Sequence, residues 1–355
     1  MDIQRKQTAM RTIALAAATA LFMWFILYAP SPFVIYEPGI AAPAKPMVLL
    51  NNKADSKADA RSAAQDSGAF MITTVKLSEV NYWEALRASW RPNAESLAKR
   101  NVLRGYSNEQ YLRRMSVIMT GSQHDAVEAA YRYAKIPYHS VAESVAITDS
   151  NEKSPESLLA GDIVLKLNNA EIYSMKDIEE ALKPNRRGEQ VTAEVQRSGK
   201  IVRLILPTNR DGSELKEEAV PGLPGEVRLS EIRSLQPRDG RMSLTVNAGE
   251  IGGPSAGLMF ALQAVDLLTE GELSGGLKIA GTGTIEPSGK VGAIGGIRYK
   301  IVAADQAGAQ LFIAPAENYK EAAAKAKAIG SSMRVISATT LSEAVAAIAL
   351  QQPKA

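Results

Sequence analysis

Apolar and polar positions contrast most sharply near the start of the chain. Thr12 to Ala29 is a run of 18 residues without a charge, TIALAAATALFMWFILYA, preceded by Arg5, Lys6 and Arg11. As a helix it extends roughly 27 Å, close to the thickness of a bilayer's hydrocarbon core. The basic flank on the short side predicts a cytoplasmic N-terminus, with everything after Pro30 across the membrane. A cleaved signal peptide and a buried core helix are competing readings of the same run. The small-residue triplet Ala18-Thr19-Ala20 falls inside the run and Ala42-Pro43-Ala44 well beyond it, which favours an uncleaved anchor.

After the anchor, Pro30, Pro32, Pro38, Pro43 and Pro46 predict an extended, non-helical linker. Asn51 to Ser67 is polar and rich in small residues and reads as an exposed loop. Phe70 to Val75 is a strand by its β-branched content, and helical patterning covers Asn81–Trp90, Asn108–Met119 and Ser122–Ala134. Between Ser140 and Pro207 the texture changes to short strands: a strand ending at an Asn168-Asn169 turn, a short helix from Met175 to Leu182, and a hairpin about Arg197-Ser198-Gly199-Lys200. A polar stretch with Pro207, Pro221 and Pro224 reads as a linker. From about Glu226 to Ile348 strands and helices alternate, the pattern of an α/β domain.

Composition narrows the function classes. A chain of 355 residues holds two or three domains. A net charge of +3, with no basic run, gives no case for nucleic acid. The absence of cysteine excludes disulfides, thiolate metal sites and a cysteine nucleophile. Two separated histidines, His124 and His139, make no metal cluster, and neither carries a catalytic motif.

The remaining chemistry centres on Gly252-Gly253-Pro254-Ser255-Ala256-Gly257, which opens the apolar helical run Leu258 to Val265. Gly252 and Gly253 permit unusual backbone angles and close approach of a substrate, and Pro254, Ala256 and Gly257 keep Ser255 uncrowded. A serine in the first turn of a buried helix lies near free N–H groups and the positive end of the dipole, where an oxyanion is stabilised. Taken alone, the same residue reads more readily as a helix N-cap. Lys300 adds the second half. In a helix after Gly296 it shares a face with Ile297, Ala303, Ala304 and Ala307, an unusual place for a lysine. To act as a base it must be neutral, which means lowering a pKa of ~10.4 by roughly three units, or about 4 kcal/mol, and burial does this. Lys278, in a strand, and Lys290, in a turn with Pro287 and Gly289, read as solvated rivals. A serine and a lysine so arranged point to a peptide-bond hydrolase.

These motifs, with the strand Ile279 to Thr284, the run Gly289 to Lys300, the stretch Ala307 to Pro315, Asn318 and Leu341-Ser342-Glu343-Ala344, resemble the proteolytic domain of the Lon family of Ser-Lys peptidases. The resemblance implies Ser255 as nucleophile, Lys300 as general base and Thr282 as the residue that hydrogen-bonds the lysine. Many members have an acid just before Gly-Pro-Ser; here a glycine stands there and the nearest acid is Glu250. The family usually carries an ATPase module. Gly283 to Val291 has five residues between its glycines and a valine where magnesium needs a hydroxyl, so it reads as a turn rather than a phosphate loop. Leu158 to Val164 with Asn168 to Ile172 resembles a PDZ domain, although no clear carboxylate-binding loop precedes it, and a merely structural β-rich insert remains the other reading.

The order of parts resembles bacterial membrane-anchored PDZ-Lon peptidases. The expected fold class is α/β: 1–11 cytoplasmic, 12–29 anchor, 30–67 extended linker and loop, 68–135 strand and helices, 136–207 PDZ-like, 208–225 linker and 226–352 Lon-type proteolytic domain. Residues 68–134 are expected to go with the proteolytic domain, with the PDZ inserted into it. The expected activity is an ATP-independent, membrane-anchored serine endopeptidase with its catalytic domain outside the cytoplasm, needing no cofactor or metal. It takes protein or peptide substrates, and the resemblance implies a homo-oligomer. The alternative is an inactive, membrane-tethered PDZ adaptor that binds peptide C-termini.

Overall fold

The computed structural model describes residues 2–51, 68–152, 154–183, 190–207, 223, 227–238, 240–249 and 251–351. The chain forms two compact units. One comprises 1–39 and 75–105, the other 40–74 and 106–355.

In the first unit, α1 (Asp2–Tyr28) contains the apolar run and is 0% buried over its candidate span, Arg5–Tyr28. Among the described residues it is the one helix long and apolar enough to cross a membrane. The linker expected after it is ordered instead. β1 (Pro30–Pro43), β2 (Val48–Asn51) and β3 (Ala69–Asn81) are strands; β2 belongs to the second unit, and β1 and β3 each have residues in both. Proline keeps φ in the range a strand needs, and it is tolerated where its missing N–H is not called on. Then come α2 (Tyr82–Ala88), β4 (Glu95–Ala98) and α3 (Lys99–Leu103). β1 pairs antiparallel with β4, from Phe33 opposite Ala98 to Tyr36 opposite Glu95. The expected loop 52–67 lies outside the described residues.

The second unit begins its helices with α4 (Asn108–Tyr133), opened by a capping box between Ser107 and Gln110. The two helices expected over 108–134 are thus one. Gly121 does not break it, because Met119 and Ser122 on either side are buried and their packing carries the helix through. There follow β5 (Tyr138–Ser150), β6 (Ile163–Leu167), β7 (Ala170–Glu171), α5 (Met175–Leu182), β8 (Gln190–Arg197), β9 (Lys200–Pro207) and β10 (Val227–Pro237). They form one antiparallel sheet in the order β10-β5-β6-β8-β9, with β7 beside β6. Its core includes Val145, Ile147, Val164, Ile178, Val195 and Leu223. The Asn168-Asn169 turn has both residues at positive φ, and Ser174 and Asp177 cap α5 reciprocally. β10 lies within the segment expected for the proteolytic domain, and it pairs along β5 from Val227 opposite Ser150 to Pro237 opposite Tyr138 in this sheet. Most of the expected linker 208–225 lies outside the described residues, but Leu223 is buried in the sheet's core.

The rest comprises β11 (Ser243–Val246), α6 (Gly257–Leu268), β12 (Lys278–Gly281), β13 (Thr284–Ile285), β14 (Val291–Gly292), α7 (Ile297–Gln306), β15 (Leu311–Pro315), α8 (Ala316–Ala328), β16 (Arg334–Ala338) and α9 (Leu341–Ala349). β11 pairs with β2. β3, β12, β15 and β16 are successive parallel neighbours, and every residue of β15 is buried, as a two-sided strand requires. Alternation then sorts the layers. Phe70, Ile72, Ile279, Leu311 and Ile313 pack with α4 and α6, whereas Met71, Ala280, Phe312 and Ala314 pack with α7 and α8. The antiparallel sheet leaves the chain after α4 and returns before β11, while β3 and α4 remain with the parallel sheet. The architecture is mixed α/β throughout.

Candidate active site

Ser255 and Lys300 start on opposite faces of the parallel sheet, one ahead of α6 and the other on α7. They meet beyond the carboxyl end of β12, where Thr282 follows Gly281. Lys300 Nζ lies 2.7 Å from Ser255 Oγ and 2.8 Å from Thr282 Oγ1. The crevice outside strand carboxyl ends is where helices on both faces can reach one point.

Ser255 sits in a 3₁₀ turn, Pro254–Ala256, immediately before α6 rather than in the α-helical first turn expected. The difference comes from Gly253, whose φ of 89° sends the chain into a tighter entry that an L side chain rarely adopts. Neither the 3₁₀ turn nor α6 has a side-chain cap, so Ser255 is not serving as an N-cap. The turn is held from several sides. Gly253 N–H donates to Met115 O at 3.0 Å, and Ser122 Oγ donates to Pro254 O at 3.0 Å, both partners being in α4. Gly283 N–H and Thr282 Oγ1 each donate to Ser255 O at 2.8 Å, and Leu258 N–H donates to Gly283 O at 3.1 Å. A Cβ on Gly252 would stand 2.9 Å from Met115 Cβ, so the approach of α4 requires glycine there.

Thr282 is 0% exposed and Lys300 3%. With its one proton committed to Ser255 O, the threonine hydroxyl can only accept from the amine, which fixes one N–H of Lys300. The remaining lone pair of a neutral Nζ is then free for the Ser255 hydroxyl. Burial is the cause that brings the Lys300 pKa down from 10.5 to about 7. The apolar face expected around it is present: Ile297, Ala303 and Ala304 are buried, while Arg298 is exposed. Lys278 and Lys290 are both exposed. The segment 283–291 is a reversal between β13 and β14, closed by Gly289 N–H donating to Glu286 O.

His139 is exposed on β5. His124 is in α4 with a buried Nδ1 lacking a hydrogen-bond partner, and burial lowers its pKa against the opposing pull of Glu143. Among the described residues no group of three His, Asp or Glu is placed to hold a metal ion. Glu250 lies outside the described residues. Met115 and Ser122 carry no signal in the sequence. They lie far upstream, and their contribution is a carbonyl and a hydroxyl that only the packing of α4 brings to the turn. Asp125, one turn beyond Ser122, was also unflagged; burial, and then Glu128, raise its pKa to about 6.

Residues 240–352 match the Lon protease (S16) C-terminal proteolytic domain. Residues 120–208 match the PDZ domain. The chain carries a Lon-type proteolytic domain and a PDZ domain. It is 30% identical over 116 residues to a Lon protease of Neorickettsia sennetsu, covering 33% of this chain and 14% of that protein. Over 155 residues it is 30% identical to a Lon protease of Xanthomonas oryzae pv. oryzae, covering 42% and 18%. A Lon protease of Clostridioides difficile is 31% identical over 118 residues, covering 32% and 15%. The match therefore spans less than a fifth of these relatives. The Lon-type match contains Ser255, Thr282 and Lys300; the PDZ match contains β5 to β9 and the end of α4.

Proposed function

We propose that the protein is a membrane-anchored serine endopeptidase that works without nucleotide, with Ser255 as nucleophile and Lys300 as general base. One observation carries this reading: a buried amine, with its pKa brought to about 7, lies 2.7 Å from the serine hydroxyl. Neutral Lys300 takes the proton from Ser255 Oγ as the oxygen attacks the scissile carbonyl. The tetrahedral oxyanion forms beside the N-terminal end of α6, whose dipole favours negative charge. The Lys300 ammonium then gives its proton to the departing amine, leaving an acyl-enzyme. Water, deprotonated by the same lysine, adds to the ester, and its collapse returns the proton to Ser255. Thr282 is a positioning residue that aims the amine.

The PDZ domain is proposed to capture extended peptide segments by strand addition. With the reversal at 283–291 serving as a turn, no nucleotide step is assigned, and the substrates are segments already flexible or locally unfolded. Arg5, Lys6 and Arg11 before the apolar run support a cytoplasmic N-terminus by the positive-inside rule, with the catalytic domain outside the cytoplasm. The homo-oligomer implied by the Lon resemblance is retained as part of the proposal.

Two measurements test the assignment. Ser255→Ala should abolish hydrolysis of an unstructured peptide in ATP-free buffer, with the far-UV spectrum unchanged, and should abolish labelling by a fluorophosphonate. In the wild type, kcat/KM should rise with pH through about 7 and level off above, because only the neutral amine is a base. Cleavage by the alanine variant would overturn Ser255 as the nucleophile, and an intact wild type that neither cleaves nor labels would favour the inactive adaptor.

A further inference from the structure

Around the C-terminal end of α1 the usual polarity of a protein surface is reversed. The buried residues of α2 are only Ala85 and Ala88. Its large apolar side chains face out: Trp83 is 42% exposed, Leu86 52%, and Trp90, in the turn that continues the helix, 69%. At i, i+3 and i+7 they share one face. In a soluble domain such a stripe is the face turned to the core. The chain has three tryptophans, and the third is Trp24 in α1, 59% exposed. None of them is spent on a protein core.

α2 is also fastened to the last turn of α1. Asn81 Nδ2 donates to Leu27 O at 2.6 Å, satisfying a carbonyl at the helix end, while Asn81 Oδ1 accepts from Glu84 N–H and caps α2. The rings of Phe25 and Tyr82 stack with centroids 5.3 Å apart. One asparagine and one ring pair thus place the exposed stripe beside the point where α1 leaves its apolar run. Arg87, exposed and four residues after Trp83, adds a cation to the same face.

We infer that α2 with Trp90 is a second membrane contact, seated in the boundary between lipid headgroups and acyl chains. The occupant is lipid, because the stripe is continuous with the helix that enters the bilayer and because tryptophan and arginine are the side chains that settle at that depth. The inference rests on the proposed spanning role of α1. It makes the unit containing 75–105 a membrane-surface element, with α2 lying along the bilayer.

The test uses the full-length protein in phosphatidylcholine vesicles. Trp24→Phe leaves Trp83 and Trp90 as the only tryptophans. Their emission should be blue-shifted, largely lost when the acyl chains carry bromines near the headgroup, and little affected by aqueous iodide. Quenching by iodide without quenching by bromine would mean that the stripe faces water. Quenching by neither would mean that protein, such as a second copy, covers it. Either result overturns the proposal. A companion carrying Trp83→Phe and Trp90→Phe reports Trp24 alone. If acyl-chain bromines quench Trp24 while Trp83 and Trp90 stay open to iodide, this inference alone fails. If Trp24 also escapes the bromines, the spanning role of α1 fails and takes the second contact with it.

Discussion

Lys300 is the side chain on which burial has the largest chemical effect. Four methylenes thread it through the apolar face of α7 to a point where, among the described residues, two hydroxyls meet the nitrogen, and desolvation favours the neutral amine. The same fact has a cost in stability. Below about pH 7 the folded protein carries a buried ammonium, whereas the unfolded chain carries a solvated one. That penalty, roughly 4 kcal/mol, disappears as pH rises from about 7 toward the unfolded value near 10.4. Lys300→Met should therefore be inactive yet more stable than the wild type. In urea unfolding the gain should be largest below pH 7 and should fade by pH 10. Equal stability of the two at pH 6 would contradict the burial argument. Ser255 and Lys300 were readable in the sequence because their motifs are local, whereas Thr282 was implied only by the resemblance to the Lon family. That Thr282 donates to the Ser255 carbonyl, and must then accept from the amine, was not, since it depends on backbone atoms brought together across a turn.

At the scale of elements, the entry into α6 is held by what packs on it. A Cβ on Gly257 would stand 2.7 Å from Ser122 Oγ and 2.8 Å from Ile285 Cγ2. Gly257→Ala should destabilise the protein by about 1–3 kcal/mol through overpacking. The displaced turn should also lower kcat more than it raises KM on a peptide substrate; wild-type kinetics from this variant would show that α4 and β13 do not position Ser255. In the PDZ domain Asp162 is fully buried and gripped by Arg197 through bonds of 2.7 and 2.8 Å, while it accepts Leu159 N–H at 2.9 Å. Arg197→Met leaves that carboxylate unpaired and should cost about 3–5 kcal/mol, seen as a lower denaturant midpoint, with partial recovery when Asp162→Asn is added. Strands and caps here follow alternation and turn chemistry, which is why the Asn168-Asn169 turn, the 197–200 hairpin and α5 were legible. β10 was not assigned to this sheet, because pairing with β5 across a long sequence separation leaves no local mark.

For the whole molecule, two devices are combined: a site built where parallel strands end, and an N-terminal helix that the bilayer can hold. The proposed topology has a clean readout, since the chain has no cysteine to interfere. With Glu317→Cys on exposed α8, a membrane-impermeant maleimide should label intact cells. With Gln7→Cys in α1, label should appear only after permeabilisation. The reverse pattern would place the catalytic domain in the cytoplasm.

The sequence by itself determined the apolar N-terminal run, the alternation of strands and helices, the buried helix after Ser255 and the apolar face around Lys300. All of these are written in periods of two to four residues or in runs of like character, so neighbouring positions carry them. Tertiary structure alone decided that β1 and β2 are strands of the fold, that α4 is one helix whose Met115 and Ser122 brace the serine turn, and that β10 closes the PDZ sheet. It alone brought an amine and a hydroxyl from opposite faces of a sheet to 2.7 Å. Those outcomes depend on which surfaces meet after the chain collapses, and a linear pattern of polarity holds no record of distance.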